Sequence, residues 1–262
     1  MSTRNQARLN WPGSVLFGAL LVALPFAVFA QQPQRKTVTN EVESLMKAAQ
    51  AAQQQGRLDQ ALQIYNRVIA STPNNPAAAA TASLSMGNIY MAQKKFENAA
   101  QAFQRSTSLN PANAEVHNNL GEALGELKQF VRAIEAFNRA VAIDPKLLKA
   151  RYNMAVTYDR LGNHRYSEFV FRNLIKNSPD YSLGFDGLAV TLSKSGRAKE
   201  SIPFHQRAIA LNPNDPSFYF NLAISYLILG DTGKALELQE KLKAIDPGLA
   251  NHLASVIVKR KM

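Results

Sequence analysis

Cysteine is absent from the 262 residues of this chain, and histidine occurs only four times. Without cysteine the chain has no disulfide framework, thiolate zinc site, cysteine nucleophile or lipid anchor attached through a cysteine. The sequence also contains no glycine-rich phosphate loop, no paired-histidine metal motif and no nucleophile elbow around a serine. We therefore expect no metal, no cofactor and no enzymatic activity.

A concentrated basic stripe is also missing. The chain has 30 Lys and Arg against 19 Asp and Glu, a formal net charge of +11, but the two signs are interleaved along it. A nucleic-acid-binding protein normally concentrates its basic residues on one face. We expect solvated helix faces with some preference for anionic partners, and no nucleic acid among them.

The first thirty residues have the layout of a targeting segment. Arg4 and Arg8 precede an uncharged stretch from Gly13 to Ala30, which Pro25 interrupts. A basic start, a short apolar middle and a small residue before a polar sequence are typical of a secretory signal peptide. We predict a signal peptide at residues 1–30 and a periplasmic or secreted protein. The alternative is an uncleaved inner-membrane anchor that leaves the rest facing the periplasm and makes the membrane contact.

Proline recurs with a period of 34 residues over most of the remaining chain. The prolines are Pro73, Pro111, Pro145, Pro179, Pro213 and Pro247, and only the first interval is longer. Such a period is typical of stacked helical repeats. It predicts a linker at residues 31–41, six repeats and a C-terminal capping helix at 248–262. The repeats are 42–73, 80–113, 114–147, 148–181, 182–215 and 216–247. Asn40 and Glu43 predict a capping box that opens the first helix.

Within each repeat, the residue types agree column by column. Position 8 is always Ala or Gly, and position 20 is always Ala or Ser. Small residues there let two antiparallel helices cross closely, and aromatic side chains at position 24 fill the space beside the crossing. Glycine at position 15, as in Gly56 and Gly162, can end the first helix in a left-handed conformation. Each unit leaves apolar surface that only a neighbouring unit can cover, so the repeats must stack.

These columns resemble the tetratricopeptide repeat. Its small-x-x-aromatic element appears as Gly87 to Tyr90, and its Ala-x-x-x-Phe element as Ala99 to Phe103 and Ala133 to Phe137. The resemblance covers residues 42–249 and implies an all-α fold, a right-handed superhelical solenoid. It also implies a concave surface that binds an extended segment of a protein or peptide partner.

Asparagines at position 6 are our candidates for holding such a segment. Asn119, Asn153 and Asn221 share this column, which resembles the asparagine ladder of O-linked N-acetylglucosamine transferases. A side-chain amide both donates and accepts hydrogen bonds, so it can bind a peptide main chain of any sequence. Asn88 and Lys149 extend the candidate peptide-binding set through resemblance to the family's carboxylate clamp. Two of the clamp's cations are replaced here, so we expect weak binding of an acidic group.

Repeat 6 instead carries four apolar residues on the same nominally open face. They are Phe220, Ile224, Leu227 and Ile228. Such a group indicates a buried contact. Either a hydrophobic partner segment or second subunit covers it, or the curvature of the superhelix and the terminal helix bury it internally.

The leading interpretation is a non-enzymatic interaction scaffold that binds an extended peptide in its concave groove. The alternative is a structural envelope component that self-associates as a homo-oligomer or supports assembly of a pilus or secretion machine. His164 and His205 fall in core columns and are expected to be packed side chains rather than ligands.

Overall fold

The structure, a computed structural model, describes residues 32–261, with side chains described for residues 40–260. The predicted signal segment at residues 1–30 lies outside the described residues. The described part forms thirteen α-helices and no strand, which confirms the all-α fold class. The helices are α1 (Gln32–Gln54), α2 (Leu58–Ser71), α3 (Pro76–Ala92), α4 (Phe96–Leu109), α5 (Ala114–Glu126), α6 (Phe130–Ile143), α7 (Leu148–Arg160), α8 (His164–Asn177), α9 (Ser182–Lys194), α10 (Ala198–Leu211), α11 (Pro216–Ile228), α12 (Thr232–Ile245) and α13 (Pro247–Lys261).

From Glu41 onward the helices form one compact unit built of helix pairs. The two helices of each pair pack on each other, as α3 does on α4, and the second helix packs on the first helix of the next pair. Successive odd-numbered helices from α5 onward also touch, which places them side by side along one face. This arrangement is the predicted helical-repeat superhelix, with odd helices on its inner face and even helices outside.

The turn inside each pair depends on a left-handed residue at position 15. Gly56, Gly162, Gly196 and Gly230 have φ between +74° and +83°, as predicted. In the second and third repeats this position is held by Lys94 and Lys128, with φ of 57° and 58°. A residue with a Cβ is strained in this region, so these two turns are less favourable than the glycine turns.

Close crossing of paired helices requires the small residues at position 8. A Cβ built on Gly87 would lie 2.4 Å from Cε1 of Phe103, and one on Gly121 would lie 2.6 Å from Cε1 of Phe137. Both rings, at position 24, are buried. In the last two repeats, buried His205 and Gln239 occupy the same place in the core. The glycine and the ring are therefore a matched pair that sets how close the helices come.

The N-terminal prediction is corrected in one respect. Helix α1 already begins at Gln32, so most of the predicted linker at residues 31–41 is helical. Asn40 consequently lies inside the helix and does not cap it. The physical reason is that the sequence has no glycine or proline from residue 34 to residue 54, so nothing stops the helix from extending toward its N-terminus.

Prolines and asparagine caps define the other helix ends. Helices α4, α6, α8 and α10 each end two residues before a repeat proline, as expected because proline disfavours helical geometry in the residue before it. At the start of α3, the side chain of Asn75 accepts a hydrogen bond from the amide of Ala78, and Pro76 is the first residue of the helix. None of the described helices combines the length and hydropathy needed to cross a bilayer.

Candidate functional site

An amide cluster links three consecutive odd helices on the inner face. Nδ2 of Asn119 on α5 donates to Oδ1 of Asn88 on α3, at 3.3 Å. Nδ2 of Asn153 on α7 donates to Oδ1 of Asn118 and to Oε1 of Glu122 on α5, at 3.0 and 2.8 Å. Asn118 is fully buried. The predicted residues Asn88, Asn119 and Asn153 are therefore brought together, and their donors bridge neighbouring repeats.

Ion pairs continue these links along both sides of the cluster. Lys149 on α7 lies 2.8 Å from Glu122, and Arg160 at the end of α7 lies 3.1 Å from Glu126. The side chain of Lys149 is 56% exposed, so its ammonium group remains accessible from solvent. Exposed pairs of this kind contribute roughly 0–1 kcal/mol each to stability. Their main effect is to hold the charged ends of the groove walls in defined positions.

Between these walls lies a cavity of about 490 Å³. Its floor is formed by the small residues Gly121 and Gly125 of α5, with Met91 and Val156 beside them. A Cβ built on Gly125 would meet no atom within 4 Å, so the floor is open there. The polar lining includes Asn153, Lys149 and both ion pairs. We call this cavity the α5–α7 groove.

The asparagine column is interrupted in the fifth repeat for a steric reason. Position 6 is Gly187 there, and a Cβ on it would lie 2.4 Å from the ring of Phe171. No asparagine fits beside that ring. Asn221 is consequently separated from the other three asparagines and donates instead to Oδ2 of Asp186, at 2.8 Å. The column thus forms two separate sites.

Both sites use the same hydrogen bond between repeats, which the sequence analysis missed. Asn153 donates to Asn118 and Asn221 donates to Asp186, so in each case position 6 of one repeat donates to position 5 of the preceding repeat. The sequence signal for this hydrogen bond was a polar residue in a column that is otherwise apolar or aromatic: position 5 is Leu84, Tyr152 and Phe220 in three other repeats.

The hydroxyl of Tyr152 lies near the second of these sites. Burial raises the pKa of Tyr152 to about 12, and the nearby charge of Asp186 is the second cause, so the hydroxyl stays neutral.

Asp186 also belongs to an arrangement that resembles a Ser-His-Asp triad. Its Oδ1 lies 2.7 Å from Nδ1 of His205, and Nε2 of His205 lies 3.1 Å from the hydroxyl of Ser225. Ser225 is only 1% exposed, and its oxygen also contacts the hydroxyls of Ser193 and Ser201. A nucleophile must reach a substrate, so this sealed arrangement acts as a polar core of the fifth and sixth repeats.

The two histidine predictions have different outcomes. His205 is fully buried, as predicted. His164 is packed only in part: its side chain is 33% exposed, and its Nδ1 lies 2.6 Å from Oδ1 of Asp159. The reason is its place as the first residue of α8, before the part of the helix that packs into the core. Among the described residues, no group of acidic and histidine side chains has the arrangement of a metal site.

The apolar face of repeat 6 is covered mainly by the chain itself. Leu227 is 2% exposed and packs in a cluster with Leu253 and Ile257 of α13. Ile224 and Phe220 pack against the same cluster, and the Phe220 ring stacks on His252 at 5.4 Å. Ile228 remains 42% exposed. The terminal helix therefore buries Leu227 and covers Phe220 and Ile224 only in part.

Comparison with known proteins agrees with the repeat architecture. Models described as tetratricopeptide repeat match residues 43–75, 84–147 and 206–237. None of the curated protein sequences gives a significant match.

Solved structures with this fold cover most of the chain. A tetratricopeptide repeat protein from Parabacteroides merdae has a TM-score of 0.74 and 21% identity, over 83% of this chain and 86% of that one. PilW, described as a type IV pilus biogenesis factor, has a TM-score of 0.65 and 21% identity, over 79% of this chain and 94% of PilW. Pseudomonas aeruginosa PilF has a TM-score of 0.62 and 14% identity, over 84% of this chain and 99% of PilF. At these identities the likeness shows the fold alone. It agrees with the three repeat models, which identify tetratricopeptide repeats in this chain.

Proposed function

We propose that this protein is a non-enzymatic scaffold that binds an extended segment of a partner protein in the α5–α7 groove. The observation that carries the proposal is the open floor at Gly125 between walls whose charged and amide groups are already held in place. The groove volume lies within the roughly 300–1,000 Å³ that ligand sites occupy.

The amide cluster supports this function by fixing the groove walls. Both hydrogens on Nδ2 of Asn153 are used within the protein. Its Oδ1 accepts no hydrogen bond from the described residues, so it can accept one from a peptide amide. Because these side chains lose little further freedom on binding, preorganisation favours affinity. Each new hydrogen bond contributes only about 0.5–1.5 kcal/mol, so we expect modest affinity.

Selection from a displayed library of random peptides tests this proposal. The wild-type chain should select binding peptides, and Gly125→Trp should lose them because the indole fills the floor of the groove. Gly233→Trp, on the exposed side of α12, is the matched control and should bind as the wild type does. Gly125→Ala should retain binding, since its methyl group meets open space.

Two results would contradict the proposal. One is that no binding peptide is selected under conditions that recover peptides for an established repeat protein. The other is that peptides bind equally to the wild type and to a folded Gly125→Trp protein. Circular dichroism of each variant verifies that the helices are intact.

A structural role in an envelope assembly is the second candidate, and exposed Ile228 is the observation that favours it. Self-association through repeat 6 would cover that side chain. Light scattering of the wild type and of Ile228→Asp tests this function. Identical monomers in both cases would exclude self-association through Ile228.

We also propose that residues 1–30 direct the protein out of the cytoplasm. The support is the sequence pattern of basic start, apolar middle and small residue at Ala30. N-terminal sequencing of the protein recovered from its host tests this. A sequence beginning at Met1 would contradict cleavage after Ala30.

A further inference from the structure

A second surface of the protein differs from its surroundings in charge and in apolar exposure. Positions 18, 22, 25, 26 and 29 of each repeat point away from the core, along the outer side of the even helices. On α8 and α10 these positions hold five cations and no acid: Arg165, Arg172, Lys176, Lys199 and Arg207. On α2, α4 and α6 the same positions carry one acid and one cation each. We call the outer side of α8 and α10 the basic–aromatic face.

Most of these cations have no acidic partner. Within the described residues, Arg165, Lys176, Lys199 and Arg207 take part in no ion pair. The two acids on these helices, Glu168 and Glu200, are held by Arg172 and by Arg197.

Acidic residues lie on the outer sides of α6 and α12, the two helices that flank this face. They are Glu135 on α6 and Glu237 and Glu240 on α12. They border the face on either side, and the excess positive charge is concentrated between them.

Exposed apolar side chains accompany the cations at the start of α8. Phe169, on the outer side of the helix, is 58% exposed, while Tyr166 in its first turn and Leu161 in the turn before it are each 46% exposed. The Tyr166 ring lies 5.7 Å from the Phe169 ring and 4.5 Å from the Tyr158 ring, so the aromatic groups form one contiguous cluster. On α4 and α6, the position of Phe169 is held by Gln101 and Glu135. The exposed aromatic cluster is thus specific to this part of the array.

The two helices also hold each other in place across this face. Nη1 of Arg197, at the start of α10, lies 2.7 Å from Oε2 of Glu168 on α8. The guanidinium of Arg172 on α8 lies over the ring of Phe204 on α10, at 5.7 Å. The cations and the aromatic cluster are therefore presented on one connected surface.

We propose that the basic–aromatic face binds the surface of an anionic phospholipid bilayer. Aromatic and aliphatic tips enter the boundary between headgroups and acyl chains, while Arg and Lys remain at the phosphates with their stems against apolar surface. Each cation near an anionic membrane strengthens binding about fivefold. The cluster lies on an outward face, whereas single-stranded nucleic acids bind in a basic groove that tracks their backbone. The lipid surface is therefore the partner that charge and shape favour.

Single labels on the full-length chain test this proposal, because the natural sequence has no cysteine. Asn173→Cys places an environment-sensitive fluorophore on the basic–aromatic face, and Gln101→Cys places it at an exposed, outward position of α4. Vesicles of phosphatidylcholine with phosphatidylglycerol should shift the emission of the first label to the blue and leave the second unchanged. Phosphatidylcholine vesicles should shift neither, and added salt should weaken the shift.

Charge reversal identifies the groups responsible. Arg165→Glu with Lys199→Glu should raise the lipid concentration needed for half the shift at Asn173→Cys by about tenfold or more. Arg67→Glu with Arg105→Glu makes the same change of charge on α2 and α4 and should leave that concentration nearly unchanged. Phe169→Gln should weaken the shift without altering its dependence on salt. If the Glu double variant misfolds by circular dichroism, Arg165→Gln with Lys199→Gln should give a smaller increase in the same direction.

Several results would overturn the proposal. These are no shift at Asn173→Cys, equal shifts at both labels, or equal effects of the two charge reversals. Binding of single-stranded polyuridylate, detected by the same label without any response to vesicles, would assign the face to nucleic acid instead. None of these outcomes depends on whether a peptide binds in the α5–α7 groove, so the two proposals fail independently.

Discussion

The α5–α7 groove and the α11–α13 contact use corresponding positions of α5 and α11, but only the first is open. Between α5 and α7, asparagines and ion pairs line a cavity whose floor is glycine. Between α11 and α13, Leu227, Leu253 and Ile257 close the space. The choice between polar and apolar residues in a few columns therefore decides whether a repeat keeps its inner face open or is capped by the next helix.

The closed contact should be the more sensitive of the two to loss of apolar volume. Leu253 is fully buried, and Leu253→Ala should lower the free energy of unfolding of the last repeat by about 2–5 kcal/mol. Hydrogen exchange should show the loss in α11, α12 and α13, because repeat arrays unfold locally. Exposed Ile228→Ala is the control and should change stability by less than about 0.5 kcal/mol. Equal effects of the two substitutions would contradict this account of the cap.

Two glycines one turn apart in α5 should respond in opposite directions to the same change. Gly121→Ala forces a methyl group against the buried ring of Phe137 and should cost about 1–3 kcal/mol. Gly125→Ala meets no atom within 4 Å and should gain up to about 1 kcal/mol from helix propensity. Urea unfolding of both variants measures the difference. Equal destabilisation would mean that the groove floor is not open.

The polar core of the fifth repeat should not tolerate the aromatic residue that earlier repeats use. His205→Phe matches Phe103, Phe137 and Phe171 at position 24, yet it removes the hydrogen-bond partner of Asp186 and Ser225. An unsatisfied buried polar group costs about 1–3 kcal/mol, so the variant should be less stable by that amount. Thermal unfolding at neutral pH measures this. A stabilised variant would show that the network is dispensable.

The smallest effects are expected at the turns. Lys94→Gly should stabilise the protein by about 0.5–1 kcal/mol, because glycine adopts the left-handed conformation without strain. Gly162→Ala should destabilise it by a similar amount. Chemical denaturation distinguishes the two signs. Loss of stability in Lys94→Gly would indicate that the lysine side chain makes a stabilising contact of its own.

The residue columns predicted the fold well because the packing repeats from unit to unit and each packing position requires a residue of a particular size. Position 8 must be small beside the position 24 ring, and position 15 must accept a left-handed backbone, so Gly87 and Gly162 carry their structural roles in the sequence. The start of α1 was not predicted, since Asn40 has the form of a cap even inside a helix.

The candidate site was predicted less completely. The asparagine column was visible, but its partners were not, because Asn118 and Asp186 lie in a neighbouring column of the preceding repeat. Their buried hydrogen bonds depend on how two repeats stack. The steric exclusion of an asparagine at Gly187 likewise appears only when the ring of Phe171 is in place. The basic–aromatic face escaped the sequence analysis because charges that alternate along the chain become segregated when helices present one side each.

Photo-cross-linking from the rim of the groove tests the central claim most directly. Arg160 lines the groove and its side chain is 48% exposed, so a benzophenone attached to Arg160→Cys leaves the floor at Gly125 open. We expect it to cross-link a library-selected peptide, with excess unlabelled peptide abolishing the product, and we expect no cross-link from the same group attached to Gly233→Cys. Cross-linking from position 233 with none from position 160 would contradict binding in the groove.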